Sequence, residues 1–172
     1  MPHRSKTVVS SKTKRKDTMG KTLNEGDQAP SFTLLDHTGK SVSLKDFKGK
    51  TVIFYFYPKD MTSGCTQEAC DFRDLHPKFG KVDAVILGIS KDSVSRHQTF
   101  RKKYELPFLL LSDEDGKVCQ AYGVWKEKSM YGRKYMGIER TTFVISPKGI
   151  IQKIFPKVKV KGHVEEVLAT LV

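Results

Sequence analysis

The chain has 172 residues, of which 38% are hydrophobic, and this length predicts one globular domain with or without a tail. No apolar run approaches the roughly 20 residues of a membrane span, and no apolar stretch typical of a secretory signal opens the sequence. Three cysteines are too few for a disulfide-stapled secreted scaffold. We therefore expect no membrane partner and a reducing, cytoplasmic location.

The net charge of +12 is distributed unevenly along the chain. Residues 1–23 carry seven basic side chains and one acidic one, which is half of the excess. This segment has too few large apolar side chains to offset the entropy of ordering it. We therefore predict a basic, disordered tail over residues 1–23 and one folded domain over residues 24–172.

The role of the tail stays open. The basic run at residues 12–16 is compatible with a solvated extension, with a nuclear or organelle targeting signal, or with a site that docks on nucleic acid. Met19 offers an alternative start that would remove most of the tail.

The first part of the folded domain has the pattern of β-structure. Two apolar segments, residues 32–35 and 41–44, flank the turn-rich residues 36–40 and predict an N-terminal β-hairpin. Residues 51–57 form a continuous run of β-branched and aromatic side chains, which is typical of a strand buried on both faces. Pro58 ends that strand.

A helix is predicted after Pro58. Apolar side chains recur there at spacings of three and four residues, Thr62 or Ser63 is placed to cap the N-terminus, and Gly80 closes the helix. The remaining predicted elements are strands at 82–89, 108–111, 140–145 and 150–155, and helices at 93–104, at 117–122 and from near Gly162. Strands that alternate with helices predict an α/β protein with a thioredoxin-like layout. In that layout a mixed central sheet carries helices on both faces.

Cys65 lies at the turn from strand to helix, where the partial positive charge and free N–H groups of the helix N-terminus favour a thiolate. Thiolate formation alone accelerates a reaction little, because nucleophilicity falls together with the thiol pKa. A fast thiol enzyme also needs donors aimed at the developing charge. Thr62 and Arg140 are candidates, and Glu68 is placed to hold an arginine by a charge-assisted hydrogen bond.

Cys70 lies five residues after Cys65 in the predicted helix. Positions this far apart in an ideal helix have Cα atoms about 8.7 Å apart, whereas a disulfide requires roughly 4.4–6.8 Å. If the two cysteines pair during turnover, the first turns of the helix must unwind.

These residues together resemble a known family. The motif consists of Pro58, Thr62, Cys65, Glu68, Cys70 and Arg140. It resembles the peroxiredoxins and, more narrowly, the bacterioferritin comigratory protein or peroxiredoxin Q subfamily, over about residues 23–172. The resemblance implies a thioredoxin fold and the reduction of hydrogen peroxide and organic hydroperoxides.

The resemblance also implies residue roles. Cys65 would be the peroxidatic thiolate, oxidised to a sulfenic acid, and Cys70 the resolving cysteine that forms an intramolecular disulfide with it. Thioredoxin or a similar dithiol would reduce that disulfide. The supporting residues would be Thr62 and Arg140, which hold the peroxide, Pro58, which shields the sulfenic acid, and Glu68, which supports the arginine. We expect a monomer without a cofactor.

Other interpretations of the sequence remain open. The protein could instead be a peroxide sensor that passes its disulfide to another protein, or a binding protein whose tail docks on nucleic acid. The C-x4-C spacing lacks the second ligand pair of a zinc site, so we expect no metal. Cys119, His76 and His97 are interpreted as packing or hydrogen-bonded residues.

Overall fold

The computed structural model describes residues 22–172, so the tail predicted for residues 1–23 lies almost wholly outside the described residues. The strands are β1 (Thr33–Asp36), β2 (Ser41–Ser43), β3 (Thr51–Phe56), β4 (Ala84–Ser90), β5 (Leu109–Ser112), β6 (Trp125–Met130), β7 (Arg133–Ile138), β8 (Thr141–Ile145) and β9 (Ile151–Phe155). The α-helices are α1 (Ser63–Lys81), α2 (Val94–Lys103), α3 (Lys117–Ala121) and α4 (His163–Ala169), and a 3-10 turn spans Leu44–Phe47.

Seven strands form one mixed sheet in the order β2-β1-β5-β4-β3-β8-β9. Strands β3, β4 and β5 are parallel, while β8 pairs antiparallel with β3 and with β9. The predicted N-terminal hairpin is present as β1 and β2. The α/β class and the mixed, thioredoxin-like sheet are therefore confirmed.

Strand β3 is buried on both sides, as predicted. Phe54 and Phe56 belong to a core cluster that includes Cys119 of α3. Tyr55 belongs to a second cluster on the opposite face, built with residues of α1, α2 and α4. Helices therefore cover both faces of the sheet, and α1 lies on the face that contains Cys65.

The hairpin formed by β6 and β7 was not predicted from the sequence. These strands form a separate two-stranded sheet, and most of their side chains are exposed. They lack the regular alternation of buried and exposed residues that identifies a half-buried strand. Elsewhere the predicted boundaries differ by one or two residues; β8, for example, begins at Thr141 and leaves Arg140 in the preceding loop.

No helix within residues 22–172 combines the length and the apolar character that a membrane crossing requires.

Candidate active site

The site lies where β3 leads through a short loop into α1. Pro58 follows β3 and is half-buried, and Thr62 precedes the helix with an extended backbone. Cys65 is the third residue of the helix and only 1% of its surface is exposed. The thiol therefore lies in the first turn, beside backbone N–H groups that have no partner within the helix.

Arg140 connects two acidic groups at this helix end. Its Nη2 donates to Sγ of Cys65 at 3.4 Å, and its Nη1 donates to Oε1 of Glu68 at 2.7 Å. The structure thus brings together Cys65, Glu68 and Arg140. The planar guanidinium suits this double contact, because its donors are held in a fixed fork.

Glu68 is fully buried, and its Oε2 has no hydrogen-bond partner among the described residues. Burial raises the pKa of Glu68 to about 7, although Arg140 opposes this shift. Burial lowers the pKa of Arg140, but Glu68 and Cys65 outweigh that effect and leave the arginine pKa raised. The guanidinium therefore carries its positive charge beside the thiol sulfur.

Gly64 was not identified from the sequence as part of the site. A Cβ atom at this position would lie 3.2 Å from Nη2 of Arg140. A glycine weakens a helix, so its presence in the first turn is explained by the close approach of the guanidinium. A glycine beside a cysteine at a predicted helix start is a weak signal without knowledge of the arginine's position.

Thr62 does not cap the helix with its side chain, contrary to the prediction, and neither does Ser63. The Thr62 hydroxyl instead donates to the carbonyl oxygen of Lys59 at 2.8 Å. This bond uses the hydroxyl proton, so the Thr62 oxygen is left as an acceptor. An acceptor at this place suits a ligand that carries its own O–H group.

Cys70 is half-buried within the same helix, and neither it nor Cys65 is in a disulfide. Burial raises the pKa of Cys70, with Arg73 opposing the shift. Because the helix is intact across both positions, the two sulfurs are held apart in this state. The structure agrees with the geometric expectation that pairing requires unwinding.

A second cation lies near the site on the β6–β7 hairpin. The Lys128 side chain of β6 is half-buried, and burial together with Arg140 lowers its pKa. The sequence offered no signal for this residue, because the strand that carries it was not predicted.

Two histidines and the third cysteine were interpreted as packing or hydrogen-bonded residues. Cys119 is buried on the face of the sheet opposite Cys65, and burial raises its pKa well above the ordinary value. His97 is buried and hydrogen-bonded, whereas His76 is only half-buried. The interpretation is confirmed for Cys119 and His97.

Comparisons with known proteins give one family. The model of the AhpC/TSA family matches residues 25–154. Peroxiredoxin Bcp of Bacillus subtilis is 53% identical over 150 residues, which covers 87% of this chain and 96% of the relative. Two solved structures are similar over most of their length.

The bacterioferritin comigratory protein of Xanthomonas campestris, described for its alkyl peroxide reduction activity, has a TM-score of 0.78 and 46% identity. That match covers 81% of this chain and 89% of the other. A PrxQ mutant structure from Xylella fastidiosa has a TM-score of 0.83 and 40% identity, covering 87% of this chain and 95% of the other.

Proposed function

The chain belongs to the AhpC/TSA family and is a peroxiredoxin, and from this premise we propose that Cys65 reduces hydrogen peroxide and alkyl hydroperoxides with Cys70 as its resolving partner. The contact that carries the proposal is the 3.4 Å approach of Arg140 Nη2 to Cys65 Sγ. It supplies a cation where negative charge builds up during oxygen transfer.

In the first step the Cys65 thiolate attacks the terminal oxygen of the hydroperoxide. A sulfur–oxygen bond forms, the oxygen–oxygen bond breaks, and the departing alkoxide or hydroxide takes a proton to become an alcohol or water. Arg140 stabilises the charge shared by the two oxygens. The Thr62 oxygen accepts a hydrogen bond from the peroxide O–H, and Pro58 limits access of water to the sulfenic acid.

In the second step Cys70 resolves the sulfenic acid. Its thiolate attacks the sulfur of Cys65, a disulfide forms, and the sulfenic hydroxyl leaves as water after it takes a proton. An external dithiol then reduces the disulfide by two thiol–disulfide exchanges and is itself oxidised. We propose thioredoxin or a similar dithiol for this role.

The proposal extends to assembly and location. A pair of cysteines within one helix needs no second subunit, which supports a monomer. Three cysteines are a small, odd set, unlike that of a disulfide-stapled secreted protein, which supports a reducing compartment such as the cytoplasm. Analytical ultracentrifugation tests the first point, and the distribution of a fluorescent fusion that includes residues 1–23 tests the second.

Mass spectrometry after one equivalent of hydrogen peroxide tests the chemistry. We expect the intact mass to fall by two hydrogens and the peptides to contain a Cys65–Cys70 bridge. The Cys70→Ser variant should reduce one equivalent of hydrogen peroxide and then stop reacting, whereas the Cys65→Ser variant should reduce none. Cys119→Ser serves as the control and should behave as wild type. Turnover by Cys65→Ser would overturn the proposal.

A further inference from the structure

The loop between β3 and α1 carries Pro58 and Thr62 on either side of Asp60. Asp60 is buried, with 1% exposure, although carboxylates seldom lie inside proteins without partners. Met61 beside it has a φ of 69°, in the left-handed region that favours glycine. A buried carboxyl group next to a strained backbone marks a loop whose conformation is imposed by its surroundings.

The Asp60 carboxylate has a partner for each oxygen. Tyr57 donates its hydroxyl to Oδ1 at 2.5 Å, and Nδ1 of His97 lies 2.7 Å from Oδ2. The other ring nitrogen of His97 lies 2.9 Å from the carbonyl oxygen of Leu111, so it must donate there. One proton is therefore shared between Nδ1 and Oδ2. Each of these buried side-chain atoms thus has a hydrogen-bond partner.

The backbone of Asp60 is held as well. Its N–H donates to Oδ2 of Asp92 at 2.8 Å, and its carbonyl accepts from Nη2 of Arg96 at 3.3 Å. Asp92 is fixed in turn by Ser90 Oγ at 2.6 Å and by Arg96 Nε at 3.2 Å. Side chain and backbone of Asp60 thus attach the loop to the end of β4 and the start of α2.

This group has residue types that bind metals, and one ligand atom from each of Asp60, Asp92 and His97 lies within 4.8 Å of the others. Those atoms are already joined to one another or to neighbouring donors by hydrogen bonds. The hydrogen bonds that attach the loop account for the clustering of these three side chains. The cluster therefore acts by fixing the conformation of the loop that carries Pro58 and Thr62.

We propose that Asp60 is a positioning residue for the peroxide reaction, which sets Pro58 and Thr62 in place around Cys65 without touching the substrate. The inference rests on the proposed function. Small displacements of groups around reacting atoms cost about 100-fold in rate. Loss of the Asp60 contacts should therefore affect oxygen transfer far more than the intrinsic reactivity of the thiol.

The test compares two reactions of Cys65 in the full chain. One is kcat/KM for hydrogen peroxide with dithiothreitol as reductant, and the other is alkylation by iodoacetamide, which needs the Cys65 thiolate but none of the hydrogen bonds that hold a peroxide. For Asp60→Ala we expect kcat/KM to fall by about 30-fold or more while alkylation changes less than about threefold. Asp60→Asn should recover activity to within about fivefold, because its amide can accept from Tyr57 and donate to neutral His97.

Asp36→Ala is the matched control. Asp36 is also buried and its backbone lies opposite Leu111, but its side chain bonds within its own hairpin turn at Thr38 and Lys40 and not to Asp60 or His97. Its loss should lower the melting temperature with little change in kcat/KM. Tyr57→Phe, which removes one donor to Asp60, gives a milder variant if Asp60→Ala does not fold, and we expect it to lose peroxide activity by several-fold with alkylation unchanged.

Three results would overturn the inference. Asp60→Ala could lose no more activity than Asp36→Ala, its peroxide and alkylation rates could fall in parallel, or Asp60→Asn could fail to recover activity. If Asp60→Ala does not fold, an unchanged rate of peroxide reduction in Tyr57→Phe would overturn the inference that Asp60 positions the loop. Wild type without peroxide turnover would instead contradict the proposed function itself.

Discussion

Glu68 and Arg140 form a buried ion pair, with 2.7 Å between Oε1 and Nη1. Glu68 also lies between Cys65 and Cys70 in the same helix. Any unwinding that lets the two sulfurs meet must therefore also displace this carboxylate. Arg140 would then lose its contacts with Glu68 and with the Cys65 sulfur in a single step, so the geometry for peroxide reduction and that for disulfide formation exclude each other.

Glu68→Gln should lower kcat/KM for hydrogen peroxide by about 10-fold to 100-fold. The amide can still accept a hydrogen bond from Arg140, but it lacks the negative charge that Glu68 carries above its pKa of about 7, so it holds the guanidinium less firmly. Steady-state peroxidase assays with dithiothreitol measure the effect. Glu139→Gln is the control, since Glu139 pairs with Lys126 and adjoins Arg140 in sequence. Equal losses in both variants would contradict a specific role for Glu68.

Gly64→Ala should slow peroxide reduction by about 10-fold, because the new methyl group meets Nη2 of Arg140 at 3.2 Å. Gly80→Ala in the same helix is the matched control, since nothing lies within 4 Å of its Cβ position. The control should gain up to about 1 kcal/mol in free energy of unfolding and keep full activity. An equally active Gly64→Ala would show that Arg140 has room to move.

Disulfide formation should depend on pH through Glu68. Its pKa is about 7 in the folded helix, and unwinding exposes it and returns the pKa toward 4.5. Between about pH 4.5 and pH 7 the folded helix therefore binds more protons at Glu68 than the unwound helix does. The stability of the folded helix relative to the unwound one thus falls as pH rises through this range. Unwinding, and with it disulfide formation, becomes easier over that window.

Stopped-flow measurement of the step after oxidation separates this effect from thiol ionisation. We expect the rate ratio of wild type to Glu68→Gln to rise about tenfold or more between about pH 5 and pH 7. A ratio that stays constant with pH would mean that Glu68 does not control unwinding.

Acid should destabilise the fold through His163. Its Nε2 lies 2.8 Å from the hydroxyl of Thr142, and burial, with Arg140 adding to it, lowers its pKa from 6.5 to about 4. The unfolded chain therefore takes up the extra proton at a higher pH than the folded chain does. The stability that this group contributes is present above about pH 6.5 and lost as pH falls toward 4, by up to about 3 kcal/mol.

Urea unfolding at about pH 7 and about pH 4.5 measures this loss. His163→Gln should show a smaller drop in unfolding free energy between the two pH values than wild type does, whatever its stability at neutral pH. An unchanged drop would assign the acid sensitivity to other groups.

The central strands β3, β4, β5 and β8 could be predicted from the sequence because most of their side chains are apolar and nearly all are buried. Residues 51–57 could be assigned from composition alone. The turn from this strand into a helix was enough to place Cys65 at the helix N-terminus. The exposed β6–β7 hairpin has no such pattern, so both strands and Lys128 were missed.

The spacing of apolar residues predicts local helices and strands, but it does not predict which distant residues come into contact. Arg140 is 75 residues from Cys65 and His97 is 37 residues from Asp60. Arg140 was a candidate donor because strand ends often converge on a site, and the family resemblance then gave it a role, but nothing in the sequence paired Asp60 with His97. Gly64 was missed for the same reason, since its role depends on where the arginine lies.

The burial of Cys65 determines the order in which its reaction partners reach it. With 1% of its surface exposed, the Cys65 thiol is too deeply buried for the cysteine of another protein to reach it while the helix is folded. A protein dithiol gains access only after the helix has opened, when the sulfur is already oxidised. The folded helix thus keeps the reductant from forming unproductive mixed disulfides with Cys65. The reductant is consumed only after a peroxide has oxidised the sulfur.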